Sequence, residues 1–294
     1  MDPRLLRTFV TVVRLGSFSA TAAELGYTQA AVSQQIAALE GDLKVTLLNR
    51  RPVTPTEAGA RLLEHADPIL LRLDAARADL ARMTQTSADS LIVGITPLAG
   101  ASMGSGGVAA ALGALRRRMP RIDVTVRLGS RSSVTAGVAR GELDIGLVDG
   151  LTAPGDSLPL LAPLYGVGVA EAEAVLMLPN GHPLAGRASI RLVDLADARW
   201  IEAPNVAPSL SDVRRVAGVD GFRAAFSYEG TDTLTLIALA AAGHGLTLLP
   251  TSVAAQVRDI VAVRVGDPPL AHRVERVHGT LREGSPAAVL ADLL

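Results

Sequence analysis

The sequence predicts a multidomain chain: an all-α domain with a helix-turn-helix, then a long linker helix, then a larger α/β domain. Residues 17–40 are typical of two short helices joined by a glycine-containing turn. Apolar residues then repeat at steps of four and three between residues 62 and 83. Beyond residue 90, strand segments alternate with helical segments, which favours a mainly parallel sheet covered by helices. The 294 residues, 49% of them hydrophobic, suffice for two or three folded units.

The helix-turn-helix is indicated by its caps and by its apolar spacing. Gly26 stands where a helix would end in a left-handed residue, and Thr28 stands where a side chain would cap the next helix. From that cap, Val32, Ile36 and Leu39 recur at steps of four and three, so they share one inward face. The pattern predicts a second helix that packs on one side and leaves the other side open.

The open side of this second helix carries residue types that can read base edges. Glutamine can form two hydrogen bonds with adenine, serine can bond several bases, and alanine lets the backbone approach closely. The candidate DNA-binding residues on this helix are Thr28, Gln29, Ala30, Ser33 and Gln34. The alternative is an ordinary amphipathic helix with a solvated polar face, because short patterns of this kind recur by chance.

A long helical stretch is predicted from about Thr56 to Thr84. Its apolar residues form a narrow heptad seam, which is typical of a helix that packs against a partner helix. The candidate dimer contacts in this seam are Leu62, Ile69, Leu73 and Leu80. The alternative is a surface helix that packs on its own domain. Because Pro68 removes one hydrogen bond from the helix, we expect either a kink near Asp67 or a break at which Asp67 caps a new helix.

The polar stretch 85–90 predicts a hinge before the α/β domain. Strands are predicted at residues 91–95, 122–126, 144–148, 174–178, 224–228, 246–249, 261–265 and 273–277. Helices are predicted at residues 108–118, 134–140, 209–217, 232–242 and 287–294.

In open α/β sheets, ligands bind beyond the carboxyl ends of the strands, where helices begin. This rule selects four loops as the predicted ligand site: 96–102, 129–133, 200–203 and 230–233. Their hydroxyl groups, with Arg127 and Arg131 close in sequence, would suit a small anion such as a carboxylate. The alternative is that each serine or threonine only caps a helix. An inward-pointing Glu202 would weaken the case for an anion.

Composition excludes several kinds of chemistry. The chain has no cysteine, which excludes disulfides and thiol reactions. His272 and His278 lack a third ligand, and no nucleophile elbow or phosphate loop is present, so we expect no catalytic residue, no metal and no cofactor. Residues 1–58 carry six basic and five acidic side chains. DNA binding would therefore depend on a few placed contacts and on doubling in a dimer.

The cellular location is expected to be the cytoplasm, with no membrane partner. No apolar run reaches the length that spans a bilayer, and the first residues lack the apolar region of a signal peptide.

Residues 4–63 resemble the N-terminal domain of the LysR-type transcriptional regulators. The matching residues are Leu5, Phe9, Val13, Gly16, Ser17, Phe18, Ala22, Ala23, Leu25, Thr28, Gln29, Val32, Ser33, Ile36, Leu39, Glu40, Leu43, Leu47, Arg50, Thr54, Glu57, Ala58 and Gly59. The rest of the chain resembles the family's effector domain, which has the two-lobed fold of periplasmic binding proteins. The landmarks of that second resemblance are Gly94, residues 141–148, Leu178-Pro179, residues 182–184 and residues 243–250.

The resemblance implies a sequence-specific transcriptional regulator, rather than an enzyme, that a small-molecule effector controls. The implied partners are double-stranded DNA, the effector, further copies in a homodimer or homotetramer, and RNA polymerase at the promoter. The implied domains are a winged helix-turn-helix at 1–58, a linker and dimerisation helix at 59–88, and an effector-binding domain at 89–294. The implied lobes of the last are 89–161 with 266–294 (lobe one) and 162–265 (lobe two).

The family residues that touch effectors match Thr96, Ser130 and 200–202 here. Taken with the four loops, the candidate effector-binding residues are Thr96, Pro97, Ser102, Ser130, Trp200, Glu202 and Thr231. Two other functions stay open: a DNA-binding regulator without a ligand, and a solute-binding α/β protein whose N-terminal helices only pack.

The sequence departs from the family pattern at three places. Leu47-Leu48 stands where the family usually has Leu-Phe. Gln34 stands where the family often has arginine, which changes the expected base preference. The segment Asn49–Pro55 is shorter than the family's wing, so we expect a tight proline-stiffened turn in place of a β-hairpin. Arg50 and Arg51 in this turn are the candidate contacts to phosphate or to the minor groove.

Overall fold

The computed structural model describes residues 1–84, 90–103, 106–160, 164–258 and 260–294. These residues form two compact units, Met1–Arg77 and Ala78–Leu294. Each unit has apolar cores of its own.

The first unit opens with α1 (Pro3–Leu15), α2 (Phe18–Leu25) and α3 (Gln29–Leu43). Each helix begins at a side chain that accepts a hydrogen bond from a backbone N–H group of the first turn. These caps are Asp2, Ser17 and Thr28. Gly16 and Gly26 end α1 and α2 in the left-handed conformation, which glycine adopts without strain, and Lys44 ends α3 at φ 54°. The predicted helix-turn-helix is confirmed.

The core of the first unit lies between these helices. Val32, Ile36 and Leu39 are fully buried, as their spacing predicts, and they cluster with Phe9 and Val12 of α1. The opposite face of α3 is open to solvent, as expected for an amphipathic helix.

A β-hairpin follows α3, where the sequence predicted a turn without strands. The strands β1 (Leu48–Arg50) and β2 (Val53–Pro55) pair antiparallel. The Glu40 carboxylate accepts hydrogen bonds from the backbone N–H groups of Leu47, at 2.8 Å, and Leu48, at 3.3 Å. The prediction was wrong because it used local sequence alone, whereas the start of the hairpin is fixed from α3 by this carboxylate.

The linker is one continuous helix, α4 (Glu57–Thr84), so the predicted break does not occur. Pro68 lies inside it, where proline removes one backbone hydrogen bond. Ala66 and Leu70, on either side of this proline, are buried together with Leu6 of α1. This packing within the first unit holds the helix together across the proline. Of the predicted hinge, residues 85–89 lie outside the described residues.

The second unit is built on a sheet whose strands precede and follow several helices. The strands are β3 (Ser90–Ile95), β4 (Asp123–Leu128), β5 (Ile145–Thr152), β6 (Tyr165–Pro179), β7 (Ser189–Arg191), β8 (Trp200–Glu202), β9 (Ala224–Ser227), β10 (Thr247–Pro250), β11 (Ile260–Asp267) and β12 (Ala271–His278). The main sheet has the order β4-β3-β5-β12-β6-β11-β7, β10 also pairs with β6, and β8 pairs with β9. Here β3 is parallel to β4 and β5, whereas β12 and β6 are antiparallel to their neighbours. The sheet is therefore mixed, and the prediction of a mainly parallel sheet was wrong.

Helices pack on both halves of this sheet. They are α5 (Pro97–Ser102), α6 (Val108–Arg118), α7 (Arg131–Ala139), α8 (Leu210–Ala217), α9 (Thr233–Ala241), α10 (Thr251–Ala254) and α11 (Pro286–Leu293). The predicted helices match α6, α7, α8, α9 and α11 to within three residues at each end. The short elements α5, α10, β7 and β8 were not predicted, because short elements show too little periodicity to stand out. The first half of the long strand β6 was not predicted either.

The long strand β6 runs through both lobes. Its residues up to Glu173 pair with β12, and its residues from Ala174 onward pair with β10 and β11. One apolar core lies around β3 and β5, and another lies around β8 and β10. The lobe boundary predicted at residues 161–162 falls just before this shared strand.

Candidate nucleic-acid interface and interior cleft

The outward face of α3 presents the residues that the sequence singles out for base reading. The side chains of Gln29, Ala30 and Gln34 are exposed, and Ser33 is half-buried. The Thr28 hydroxyl oxygen accepts from the backbone N–H of Ala31 at 3.2 Å, so it caps the helix. A serine, two amides and a small alanine therefore share the first turns of one open helix face. Such a face can donate hydrogen bonds to base edges and accept them.

Two arginines extend this surface at the hairpin. The Arg50 guanidinium lies 3.5 Å from a carboxylate oxygen of Glu40 and 5.2 Å from the ring centroid of Phe18. These contacts direct the side chain while leaving about half of it exposed. Arg51 lies in the exposed turn between the strands and makes no ion pair with another described residue. Both cations are available to a polyanion.

The predicted dimer seam on α4 divides into buried and open positions. Leu62 is half-buried and packs within the first unit, and Leu73 is also half-buried. Ile69 is 42% exposed and Leu80 is 64% exposed. The Arg7 guanidinium donates to both oxygens of Asp74 at 2.9 Å and ties α4 to α1. One face of α4 thus packs on its own domain, while apolar side chains on another face stay open.

A cavity of about 190 Å³ lies in the second unit, where strands of lobe one end beside the chain that leads into α8. Lobe one lines it with Thr96 after β3, Asp149 and Gly150 in β5, and the first turn of α7. Lobe two contributes residues 204–209 and Asp212. This position agrees with the rule that ligands bind beyond the carboxyl ends of parallel strands.

A buried chain of hydrogen bonds forms the lobe-one wall of the cavity. The Thr96 hydroxyl donates to one oxygen of the Asp149 carboxylate. His272 Nε2 lies 2.8 Å from the other oxygen, and both side chains of this pair are less than 10% exposed. His272 Nδ1 is buried and has no hydrogen-bond partner among the described residues.

The other charged wall of the cavity is shared between the lobes. Arg131 Nη2 lies 3.8 Å from a carboxylate oxygen of Asp212, which is too long for a hydrogen bond. Asp212 already accepts from Arg215 at 3.0 Å and from the Ser209 hydroxyl at 2.9 Å. Gly150 leaves room for the arginine, since a Cβ atom there would lie 2.5 Å from Arg131 Nη1.

Of the seven candidate effector residues, Thr96 lines this cavity. Ser130 caps α7 by accepting from the backbone N–H of Ser133 at 3.3 Å. Pro97 lies in the first turn of α5, and the Ser102 hydroxyl is buried without a partner in the described part of the chain. Thr231 is exposed, just before the α9 cap.

Trp200 and Glu202 do not line the cavity. Trp200 is 1% exposed in the lobe-two core, where its Nε1 donates to the carbonyl of Leu195 at 2.9 Å and its ring meets Phe222 edge-on. The Glu202 carboxylate accepts from the backbone N–H of Leu210 at 3.3 Å and so serves the start of α8. These two side chains support lobe two, and Glu202 does not point into the cavity as an opposing charge.

Several residues that line the cavity were not predicted from the sequence. Asp149 follows the buried strand residues Ile145–Val148 at the same sheet edge as Thr96, and that position was a usable signal. Asn205, Ser209 and Asp212 come from a segment whose approach to lobe one depends on the fold, so local sequence did not indicate them.

Comparison with known proteins finds two family models that match this chain. Residues 3–60 match the model for bacterial regulatory helix-turn-helix proteins of the LysR family, and residues 86–291 match the model for the LysR substrate binding domain. The chain belongs to the LysR family. It is a LysR-type transcriptional regulator with a helix-turn-helix domain and an effector-binding domain.

Named relatives and solved structures show what this regulator is similar to. It is 32% identical over 260 residues to the HTH-type transcriptional regulator BudR of Raoultella terrigena, covering 86% of each chain. It is 30% identical over 198 residues to a probable RuBisCO transcriptional regulator of Emiliania huxleyi, covering 67% of this chain and 60% of the other. The crystal structure of full-length CbnR with its target DNA has the same fold, with a TM-score of 0.52, 23% identity, and coverage of 100% and 98%.

The described residues also bear on two other classes of site. No helix among them is long and apolar enough to cross a membrane. Within the same residues, no group of three or more potential metal ligands comes together.

Proposed function

We propose that this regulator binds a specific double-stranded DNA site as a homo-oligomer and that a small molecule in the interior cleft controls this binding. The observation that carries the proposal is that one chain combines an open amide-and-hydroxyl helix face with a cavity that polar side chains of both lobes line. We assign residues 1–58 to DNA binding, 59–88 to dimerisation and 89–294 to effector binding. The lobes of the last are 89–161 with 266–294, and 162–265, except that the first half of β6 pairs with β12 of lobe one.

Base reading is assigned to α3. Gln29, Ser33 and Gln34 reach base edges in the major groove, Ala30 lets the helix backbone approach, and Thr28 holds the helix start in place. Arg50 and Arg51 contact phosphate or the minor groove and set the orientation of the helix. Because the domain has little net charge, a single copy would bind weakly, and two copies on half-sites would be needed.

Pairing of copies is assigned to the open face of α4. Ile69 and Leu80 are large apolar side chains left exposed on a long helix, and Leu62 and Leu73 continue the seam. Burying them against a second α4 would remove this apolar surface from water. The resulting assembly is a homodimer, or a homotetramer made of two such dimers. It contacts RNA polymerase at a promoter, in the cytoplasm.

The effector is assigned to the cleft. Thr96, Arg131, Ser132 and Asp149 from lobe one face Asn205 and Ser209 from lobe two across a small volume. A ligand there contacts both lobes, so it favours one arrangement of the lobes over another and can thereby shift an equilibrium. Since the chain has no cysteine, this sensing is non-covalent binding and not thiol oxidation.

The test is selection of bound fragments from the source genome by purified full-length protein at two salt concentrations. Enrichment of a few intergenic sites with dyad symmetry is the expected result, because two heads read two half-sites. Uniform binding that only weakens with salt would mean that α3 does not read sequence, and would contradict the DNA part of the proposal.

A further inference from the structure

The lobe-one wall of the cleft offers hydrogen-bond acceptors and a negative charge. Thr96 has a single hydroxyl hydrogen, and it is donated to Asp149, so toward the cavity this hydroxyl can only accept. The Asp149 carboxylate has about four lone-pair directions, of which Thr96 and His272 use two. A ligand group that meets this wall must therefore bring hydrogen-bond donors.

His272 adds to the hydrogen bonding of that wall. Its Nε2 lies 2.8 Å from one oxygen of the Asp149 carboxylate, and its Nδ1 is buried without a partner among the described residues. One oxygen of the carboxylate is thus held by His272 and the other by Thr96, which leaves lone pairs on both oxygens for a ligand.

The Arg131 side of the cleft has the opposite character. Asp212 is shared by Arg131 and Arg215, so this group of three carries one net positive charge. The Arg131 guanidinium makes no hydrogen bond to another described residue, although its side chain is only 28% exposed. Such a guanidinium, with five donors, is suited to a carboxylate that it can grip with two parallel bonds.

The two walls together select the chemistry of the ligand. Resting on the proposed function of the cleft, we propose that its ligand is a small amino acid-like zwitterion. The protonated amine lies against Thr96 and Asp149, and the carboxylate lies against Arg131. The volume of about 190 Å³ admits a small molecule of this kind. A plain carboxylic acid would leave the Asp149 charge without a partner, and a plain amine would leave Arg131 without one.

The experiment uses full-length protein and matched sets of probes. Each common L-amino acid is compared with the amine that lacks its carboxylate and with the acid in which a hydroxyl replaces its amine. Binding is measured by thermal shift and then by calorimetry. We expect at least one amino acid to bind, and its two truncated analogues to bind about 10-fold or more weakly, as the loss of one charged hydrogen-bonded contact implies.

Two variants test which wall of the cleft binds which end of the ligand. Arg131→Gln should lower the affinity for the amino acid to the affinity for its amine. The affinity for the amine itself should not change. Asp149→Asn should lower the affinity for the amino acid to the affinity for the hydroxy acid. Arg223→Gln, an exposed arginine away from the cavity, is the matched control and should change neither. If Asp149→Asn does not fold, Arg131→Gln alone still tests the orientation.

Other outcomes overturn the inference in distinguishable ways. A hydroxy acid or a dicarboxylate that binds as tightly as any amino acid, with loss in Arg131→Gln, would keep the effector cleft and make the ligand an anion. An amine that binds as tightly would make it a cation. If no amino acid binds, the zwitterion is wrong. Fragment selection by the same preparation then shows independently whether the DNA-binding proposal survives.

Discussion

Gln34 is exposed on α3 and makes no contact that folding needs, so its replacement tests base reading directly. Gln34→Ala should weaken binding to the selected operator by about 1–3 kcal/mol and leave binding to random DNA nearly unchanged. Alanine is a strong helix former, so the helix itself should persist. Fluorescence anisotropy with both DNAs measures the difference, and Gln256→Ala in the second unit is the control. Equal losses on both DNAs would remove Gln34 from base readout.

Replacing Trp200 can show whether this residue stabilises the fold or binds the ligand. Trp200→Phe removes the donor to the Leu195 carbonyl and should lower the free energy of unfolding of the second unit by about 1–3 kcal/mol. Ligand affinity should not change, because the side chain lies in the lobe-two core. Thermal denaturation followed by circular dichroism checks this, with the exposed Tyr165→Phe as control. Unchanged stability together with lost ligand binding would return Trp200 to the effector site.

At the scale of elements, the hairpin carries the charge that DNA would meet. Arg50→Ala should lower affinity for all sequences and reduce the slope of log affinity against log salt by about one, because one phosphate contact is lost. Titrations at several salt concentrations measure the slope, and Arg61→Ala on the exposed side of α4 is the matched control. An unchanged slope would mean that Arg50 does not contact a phosphate and only packs against Glu40 and Phe18.

A substitution in α4 tests whether two copies pair through its heptad seam. Leu80→Asp places a charge on a side chain that is 64% exposed, so the monomer fold should tolerate it while a helix pair should not. Light scattering should report monomers for this variant and the native oligomer for His65→Asp, an exposed position of the same helix outside the seam. An intact oligomer in Leu80→Asp would show that α4 does not pair through this face.

Local elements could be predicted from sequence wherever their determinants are local. Gly26 and Thr28 fix a helix end and a helix start with their own atoms, so the helix-turn-helix was within reach of sequence reasoning. The hairpin was not, because its start is held by Glu40 from another element. Asp149 belongs to the cavity only because β5 runs past the end of β3 and residues 204–209 line the same space.

At the scale of the whole molecule, the division into two compact units has a thermodynamic consequence. Calorimetric unfolding should show separate transitions for the two units. A bound effector at about 100 times its dissociation constant should stabilise the second by about 2.7 kcal/mol, and operator DNA should stabilise the first. Differential scanning calorimetry with each ligand in turn measures this. A single transition that both ligands shift equally would mean that the units unfold together.

Lys44, which ends α3 in the left-handed conformation, is the only lysine in the sequence. Amine-reactive dyes therefore have a single lysine side chain to react with in this sequence. It belongs to the unit that carries α3. An optical label can thus be placed at the end of α3 without engineering a cysteine. Energy transfer between labelled copies would then follow the separation of the two heads as an effector is added.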